Sequence, residues 1–195
     1  MFFFFAFIAG AIVIAVLIGG DVRRLSRLRL KSPLLVLTAF AAKAAVAVLG
    51  TTHDATAVLI ARPLNVGGAA LLLGAVWFNR RTPGAYLFGL GLALNLAALV
   101  AYGGRMPVLL PHDIDPASPR LALLSSGFDP LHELLTTPRG PWFLGDILPI
   151  PGLNGHGSVV SVGDLLMAAG IGWLIIRCSL RQPALRPAYG PSPTS

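Results

Sequence analysis

Residues 2–20 read FFFFAFIAGAIVIAVLIGG, and residues 21–32 read DVRRLSRLRLKS. The first stretch carries no charge, and as a helix rising about 1.5 Å per residue it nearly matches the hydrocarbon layer of a bilayer, which is about 30 Å thick. The second stretch carries five cations, and such clusters mark the cytoplasmic end of a membrane span. The junction therefore predicts a first transmembrane helix whose N-terminus lies outside the cytoplasm.

The rest of the chain continues this pattern. Hydrophobic residues make up 55% of the 195 residues and charged residues only 12%, whereas about 25% of an ordinary soluble domain is charged. Further apolar stretches of about 18 residues or longer follow the first, which is typical of membrane spans. We therefore predict an all-α integral membrane protein, a bundle of about five transmembrane helices. Their predicted bounds are 2–20, 33–50, 57–78, 85–102 and 159–177.

The basic residues give the orientation. Ten of the 15 lysines and arginines fall in three clusters (23–31, 80–81 and 177–186), each at the end of an apolar stretch. Alternate crossings put all three clusters in the cytoplasm, as the positive-inside rule requires. We expect a multipass protein of the bacterial inner membrane with a cytoplasmic C-terminus. The net charge of +7 does not indicate nucleic-acid binding, because no base-stacking aromatic residues accompany the cations.

Residues 104–158 separate the fourth and fifth apolar stretches and predict an extracytoplasmic, proline-rich loop. The loop holds nine prolines, seven glycines and five of the eight acidic residues. Its apolar patches predict short interfacial helices and turns that form a cap on the outer surface, with Trp142 at the depth of the lipid headgroups. Residues 178–195 contain four prolines and no apolar stretch, which predicts a disordered cytoplasmic tail.

Two aspartates are candidate catalytic residues. Asp146 lies near the end of the loop in LGDILP (144–149), and Asp164 opens the last span in SVGD (161–164). Two carboxyl groups that meet at a membrane edge could share a proton and activate a water, one as general base and the other as general acid. Structural roles are also open, because SVGD fits the helix-start pattern S-x-x-[DE] and Asp146 could be a turn residue.

Four further polar residues lie inside or beside the predicted spans. Asn95 falls within the fourth span and Arg105 just beyond it, while Lys43 and Arg62 fall within the second and third spans. An intramembrane cation is a functional-site hypothesis, but a long basic side chain could instead snorkel to the headgroups. Asn95, Arg105 and Lys43 are therefore candidates for orienting a substrate.

The histidines give no metal signature. All four, His53, His112, His132 and His156, fall in segments predicted to lie outside. The segment HELLT (132–136) lacks the second histidine that an H-E-x-x-H zinc site requires, and no other spacing matches a ligand pattern. We therefore predict no metal and no cofactor.

The motifs occur in an order that resembles a known family. The order is NRRTPG (79–84), Asn95, GGRMP (103–107), LGDILP (144–149) and SVGD (161–164). It resembles an uncharacterised bacterial family of small multipass membrane proteins, described only as a domain of unknown function. The resemblance covers nearly the whole chain apart from the tail. It implies the topology predicted above and no particular activity.

A second resemblance is local. Asp146 and Asp164 are placed like the two aspartates of lipoprotein signal peptidases, which are membrane aspartic proteases, and their separation of 18 residues is similar. Ser161 stands where that family has asparagine, and the Gly-Asn-x-x-Asp-Arg segment before the first aspartate is missing. The resemblance implies a hydrolase in which the two aspartates act on a lipid-linked or membrane-anchored substrate.

Three functions remain open, and all of them have the lipid bilayer as a partner. The first is a hydrolase with Asp146 and Asp164 at the outer membrane edge. The second is a non-catalytic scaffold whose cap docks an envelope protein and whose aspartates are structural. The third is a small permease subunit in which Lys43 and Arg62 line an anion path, although the sequence has no internal repeat of the kind found in many transporters.

Overall fold

The structure, a computed structural model, describes residues 2–52, 54–110, 118–150 and 158–180. Within these ranges the chain is mostly helical, with six α-helices, two 3-10 helices and four short β-strands. His53, His112, His156 and most of the predicted tail lie outside the described residues. The α-helices are α1 (Phe2–Leu17), α2 (Pro33–Leu49), α3 (Ala55–Phe78), α4 (Ala85–Ala101), α5 (Pro119–Ser126) and α6 (Val162–Leu180).

Helices α1 to α4 coincide with the first four apolar stretches, and local signals determine their ends. α2 begins with Pro33, whose missing N–H would have no partner at a helix start. The Asp54 side chain accepts a hydrogen bond from the Ala57 N–H, at 3.2 Å, and caps α3. α1 ends at Leu17, short of the predicted residue 20, and Gly19 follows with a φ of 80° that few other residues adopt.

The last long helix, α6, differs from its predicted bounds of 159–177. Residues 159 and 160 belong to a β-strand and Ser161 caps the helix, so α6 begins later than predicted. It continues past Arg177, because arginine is a good helix former. Cys178 and Ser179, which we predicted to begin the tail, are therefore buried residues of α6.

The long helices make their main contacts in a row, in which α2 contacts α3, α3 contacts α4, α4 contacts α6 and α6 contacts α1. α3 and α6 are long and apolar enough to cross a membrane, and the other three are apolar but shorter. The outward faces of all five carry exposed large apolar side chains, unlike the polar outer face of a soluble bundle. Examples are Phe5, Leu37, Leu59, Leu90 and Trp173.

Glycines bring the backbones of α4 and α6 into contact. Gly91 packs against Gly163, and Gly84, just before α4, packs against Gly170. A Cβ atom at Gly91 would lie 2.3 Å from the Gly163 carbonyl oxygen, and a Cβ atom at Gly84 would lie 2.0 Å from the Gly170 carbonyl oxygen. The same spacing on both helices makes one antiparallel line of contact, the glycine seam, which larger residues would force apart.

The segment after α4 folds into a cap that contains strands as well as short helices. β1 (Met106–Val108) pairs in parallel with β2 (His132–Leu134), and β3 (Leu148–Ile150) pairs antiparallel with β4 (Ser158–Val160). A 3-10 helix at Trp142–Leu144 lies between them in sequence. The prediction of helices and turns alone missed the strands, because three-residue strands with distant partners leave no alternating sequence pattern.

Candidate functional site

Asp164 lies at the start of α6 in a hydrogen-bonded cluster with Asn95 and Ser161. Its carboxylate accepts a hydrogen bond from Asn95 Nδ2 at 2.8 Å, and its backbone N–H donates to Ser161 Oγ at 2.9 Å. The Ser161 hydroxyl donates to Asn95 Oδ1 at 2.8 Å, and the Ser161 N–H donates to Asp164 Oδ2 at 3.4 Å. Ser161 and Asp164 thus form a capping box, and Asn95 joins it to α4.

The glycine seam lets the Asn95 side chain of α4 reach Ser161 and Asp164 at the start of α6. A Cβ atom at Gly163 would lie 1.9 Å from Asn95 Oδ1 and 2.6 Å from the Gly91 carbonyl oxygen. Only glycine at this position lets the Asn95 amide lie across the start of α6. We call Asn95, Ser161 and Asp164 the helix-end cluster. Its hydrogen bonds depend on the close approach of α4 and α6.

Asp146 is held at the edge of β1. Its N–H donates to the Pro107 carbonyl oxygen at 2.8 Å, and its own carbonyl accepts from the Leu109 N–H at 2.9 Å. β1 is therefore flanked by β2 on one side and by Asp146 on the other. The Asp146 side chain is 11% exposed, and its Oδ2 lies 3.9 Å from His132 Nε2.

His132 stands between two aspartates. Its Nδ1 lies 3.2 Å from Asp129 Oδ2, while its Nε2 faces Asp146. The Asp129 carboxylate is buried, and it also accepts hydrogen bonds from the N–H groups of Leu131, at 2.8 Å, and His132, at 2.9 Å. We call Asp129, His132 and Asp146 the Asp–His–Asp row.

The pKa values of the two aspartates in this row are shifted in opposite directions. Burial raises the pKa of Asp146 to about 7, with a further contribution from the Asp164 charge, while His132 and Arg120 act against the rise. Burial also opposes ionisation of Asp129, but hydrogen bonds from His132 and neighbouring backbone groups outweigh it and lower the pKa of Asp129. Asp146 can therefore take up or release a proton near neutral pH, whereas Asp129 stays charged.

Lys43 belongs to a separate polar contact between α2 and α3. Its ammonium group donates to Asn65 Oδ1, and Asn65 Nδ2 donates to the Gly104 carbonyl oxygen at 2.8 Å. The Asp164 charge also acts on Lys43, although the hydrogen bond described for Lys43 goes to Asn65. Arg62, one helical turn before Asn65, has a buried Nε without a hydrogen-bond partner in the part of the chain that the structure describes.

Arg105, a predicted substrate-orienting residue, is paired within the cap. Its guanidinium donates to Glu133 Oε2 at 2.9 Å and to the Gly127 carbonyl oxygen at 3.1 Å. Arg139 binds the other oxygen of the same Glu133 carboxylate. Asn95 and Asp164 are therefore in direct contact and the Asp164 charge acts on Asp146, while Arg105 and Lys43 have partners elsewhere.

Three residues of these clusters were missed as site residues at the level of sequence. Asp129 and His132 are separated by a proline and a leucine, a spacing that suits an aspartate turn but has no specific functional meaning. Asn65 is a lone amide in an apolar stretch, which is itself a signal of a polar contact inside a bundle. Within the described ranges, no group of three or more His, Cys, Asp or Glu residues is arranged to hold a metal ion.

The fold and the clusters define a class of mostly helical protein with candidate membrane-spanning helices and a small cap that brings acidic residues to one end of the helices. The chain belongs to a family of unknown function (DUF5317), which matches residues 27–176, and this confirms the family resemblance predicted from the motif order. A similar protein from Thermotoga maritima, named "Uncharacterized protein", is 34% identical over 101 residues, which cover 52% of this chain and 55% of that protein. The chain thus spans about half the length of this curated relative. No solved structure matches the present chain.

Proposed function

We propose that this is a multipass inner-membrane protein in which all five long helices cross the bilayer, with the N-terminus outside and the C-terminus in the cytoplasm. The exposed apolar faces support this, because such surfaces are stable in lipid and would promote aggregation in water. α1, α2 and α4 have 16, 17 and 17 residues. Helices of this length reach about 25 Å, and flanking residues or a thinner bilayer can complete the span.

The basic end of the bundle supports the orientation. Arg80 lies over the ring of Trp77, 4.9 Å from its centroid, and Arg177 lies over the ring of Trp173, 5.8 Å from its centroid. Both tryptophans are more than half exposed, which is typical of the aromatic belt at a membrane interface. Cations beside the belt suit the cytoplasmic side.

At the opposite end we propose a hydrolytic site in which Asp146 is the general acid and Asp164 is the general base. What supports this proposal is the burial of the Asp146 carboxyl group at the same end of the bundle as Asp164, whose charge adds to the rise of the Asp146 pKa to about 7. Two carboxyl groups in such different environments are suited to opposite proton-transfer roles. Asp164 would take a proton from an attacking water, and Asp146 would give one to the leaving group.

Substrate orientation is divided among the remaining predicted residues. Asn95 binds the Asp164 carboxylate, so its proposed role is to orient the base. Lys43 and Arg105 are proposed to bind an anionic part of the substrate, which requires Arg105 to leave Glu133. The local resemblance to lipoprotein signal peptidases supports a lipid-linked or membrane-anchored substrate, which would reach the site from the outer leaflet.

A second candidate function is that of a non-catalytic scaffold for an envelope protein. The capping box favours it, because hydrogen bonding at the start of α6 accounts for Asp164 without any catalytic role. The ion pairs of Glu133 with Arg105 and Arg139 would then stabilise the docking face of the cap.

Isotope incorporation distinguishes the two functions. Full-length protein is reconstituted in proteoliposomes with a bacterial membrane extract in water enriched in oxygen-18, and membrane-anchored products are analysed by mass spectrometry. We expect the label in a hydrolysis product with the wild type, and at least about 100-fold less with Asp146→Asn or Asp164→Asn, because asparagine cannot transfer protons. Asp21→Asn is the matched control, because it makes the same exchange at the other end of the bundle, where the Asp21 N–H donates to the Ser179 carbonyl oxygen. Unchanged labelling in either aspartate variant would contradict the hydrolase and favour the scaffold.

Reporter fusions test the proposed orientation. Fusions after residues 31 and 81 should report the cytoplasm, and fusions within 118–150 should report the outside. A cytoplasmic signal from the cap would contradict the membrane topology and the placement of the site together.

A further inference from the structure

We infer that His132, oriented by Asp129, carries protons between water and Asp146. The inference rests on the proposed acid–base role of Asp146, and it adds to that role a route by which the carboxyl group is reprotonated after each turnover. His132 is the proton carrier, and Asp129 is a positioning residue.

The geometry of the imidazole ring carries the inference. Asp129 is itself fixed by two backbone N–H groups, and it accepts the Nδ1 proton of His132 at 3.2 Å. A neutral imidazole has one proton on its two nitrogens, so this contact leaves Nε2 unprotonated and directed at Asp146. The separation of 3.9 Å between Nε2 and Asp146 Oδ2 is closed by a small rotation of the ring or by one bridging water.

The solvent exposure of the three side chains indicates that the proton enters through His132. The His132 side chain is 24% exposed, whereas the Asp146 side chain is 11% exposed and the Asp129 side chain 5%. The imidazole therefore reaches solvent more readily than either carboxyl group. A proton taken from water by Nε2 produces an imidazolium that the Asp129 carboxylate stabilises. Nε2 then gives that proton to Asp146 Oδ2, and the ring returns to its neutral form while Asp146 becomes a neutral acid.

Charged groups from three elements determine how pH acts on this route. His132 faces Asp146 from β2, Asp164 acts on it from α6, and Arg120 acts on it from α5. Glu133, the neighbour of His132 on β2, is bonded instead to Arg105 and Arg139. Asp164 raises the proton affinity of Asp146, while the imidazolium and Arg120 lower it.

The experiment is an NMR titration of the full-length protein in detergent micelles, with carbon-13 in the aspartate carboxyl groups and nitrogen-15 in the histidine rings. Asp146→Asn and His132→Gln identify the two signals. In a coupled pair each group responds to both titration steps, so both wild-type curves should show two inflections. His132→Gln should leave a single Asp146 midpoint about one pH unit higher, because a nearby opposite charge lowers a carboxyl pKa by about 1–3 units.

Asp129→Asn tests the positioning role. Asparagine keeps the size of the side chain but removes the charged acceptor of the Nδ1 proton, so the nitrogen-15 shifts of the His132 ring should show that the Nδ1-protonated tautomer is less favoured than in the wild type. Glu133→Gln is the matched control on the same strand, and it should leave the tautomer of the His132 ring and the Asp146 midpoint unchanged. Backbone amide spectra establish that each variant is folded, and His132→Asn is a second variant for use if His132→Gln does not fold.

Two results would overturn the inference. One is a single His132 midpoint that Asp146→Asn does not move, and the other is an Asp146 midpoint that folded His132 variants do not move. The labelling experiment separates this outcome from failure of the hydrolase proposal. Label lost in both aspartate variants, with uncoupled titrations, would reject only the proton route. Coupled titrations without any hydrolysis would reject the hydrolase and the role of the route in turnover, and would leave only the exchange of protons between His132 and Asp146.

Discussion

Asp164 of the helix-end cluster and Asp146 of the Asp–His–Asp row lie at the same end of the molecule, but their carboxyl groups differ in their partners. Asp164 is bonded to Asn95 and to the Ser161 backbone. The Asp146 carboxyl group is buried, and its Oδ2 lies 3.9 Å from Nε2 of the His132 imidazole. A carboxylate with matched hydrogen bonds stabilises a helix start, whereas a desolvated carboxyl group beside a titratable ring can change its protonation. We therefore expect mutations in the first region to act on stability, and mutations in the second to act on pH dependence.

The largest expected effect comes from replacing Gly163, the glycine that packs against the Asn95 side chain of the helix-end cluster. In Gly163→Ala the new Cβ would lie 1.9 Å from Asn95 Oδ1 and 2.6 Å from the Gly91 carbonyl oxygen. The backbones of α4 and α6 must separate, and we expect a loss of roughly 3 kcal/mol or more in the free energy of unfolding. Unfolding by sodium dodecyl sulfate in mixed micelles measures it. The control is Gly74→Ala in α3, where a Cβ meets nothing within 4 Å; equal losses in both variants would argue against the seam.

The second prediction concerns how the stability of the protein depends on pH through Asp146. The pKa of Asp146 is about 7 in the folded chain against an ordinary value of 3.8, so the folded chain binds more protons than the unfolded chain between these values. Stability should therefore fall as the pH rises from about 4 to about 7 and then level off. Asp146→Asn removes the buried charge and should be more stable than wild type by a few kcal/mol at pH 8, with little difference at pH 4. Melting curves at both pH values measure this, and a difference that is independent of pH would contradict the assigned environment.

A smaller effect should follow from removal of the cap hydroxyl. Ser161→Ala deletes the acceptor of the Asp164 N–H and the donor to Asn95, and we expect a loss of about 1–2 kcal/mol. The loss should be the same at pH 5 and pH 8, because the hydroxyl does not titrate in this range. Ser161→Thr keeps the hydroxyl and serves as the control. A loss that varied strongly with pH would mean that the two regions are not separable.

The smallest effect is expected outside both regions. Glu133→Gln weakens the ion pairs with Arg105 and Arg139 at the surface of the cap, and partly exposed pairs contribute only about 0.2–1 kcal/mol. We expect a shift in this range that disappears in high salt. A loss comparable to that of Gly163→Ala would show that the cap depends on this carboxylate more than its exposure indicates.

The sequence predicts the helices well where apolar length and end signals agree. Pro33 at the start of α2 and the capping Asp54 of α3 are both local signals. The fifth apolar stretch misled the prediction, because Val159 and Val160 continue the apolar pattern while their backbone pairs with β3. Hydropathy cannot distinguish a buried strand residue from the first turn of a span.

The two regions also differ in how far sequence could predict them. The helix-end cluster is partly local, because Ser161 and Asp164 are three residues apart in a known capping pattern. The Asp–His–Asp row depends on long-range pairing, since β1 aligns with β2 on one side and with Asp146 on the other. No spacing along the chain specifies that register, so the contact of His132 with Asp146 could be found only in three dimensions.

The glycine seam has a consequence for how the bundle can open. At two points along α4 and α6, a carbonyl oxygen occupies the space that a side chain would otherwise fill. If either helix slid along the other, a bulkier residue would meet that oxygen, so relative translation is blocked. We expect the two helices to move as a single rigid body, and any lateral entrance for a lipid-borne molecule must therefore form at a different pair of neighbours in the row.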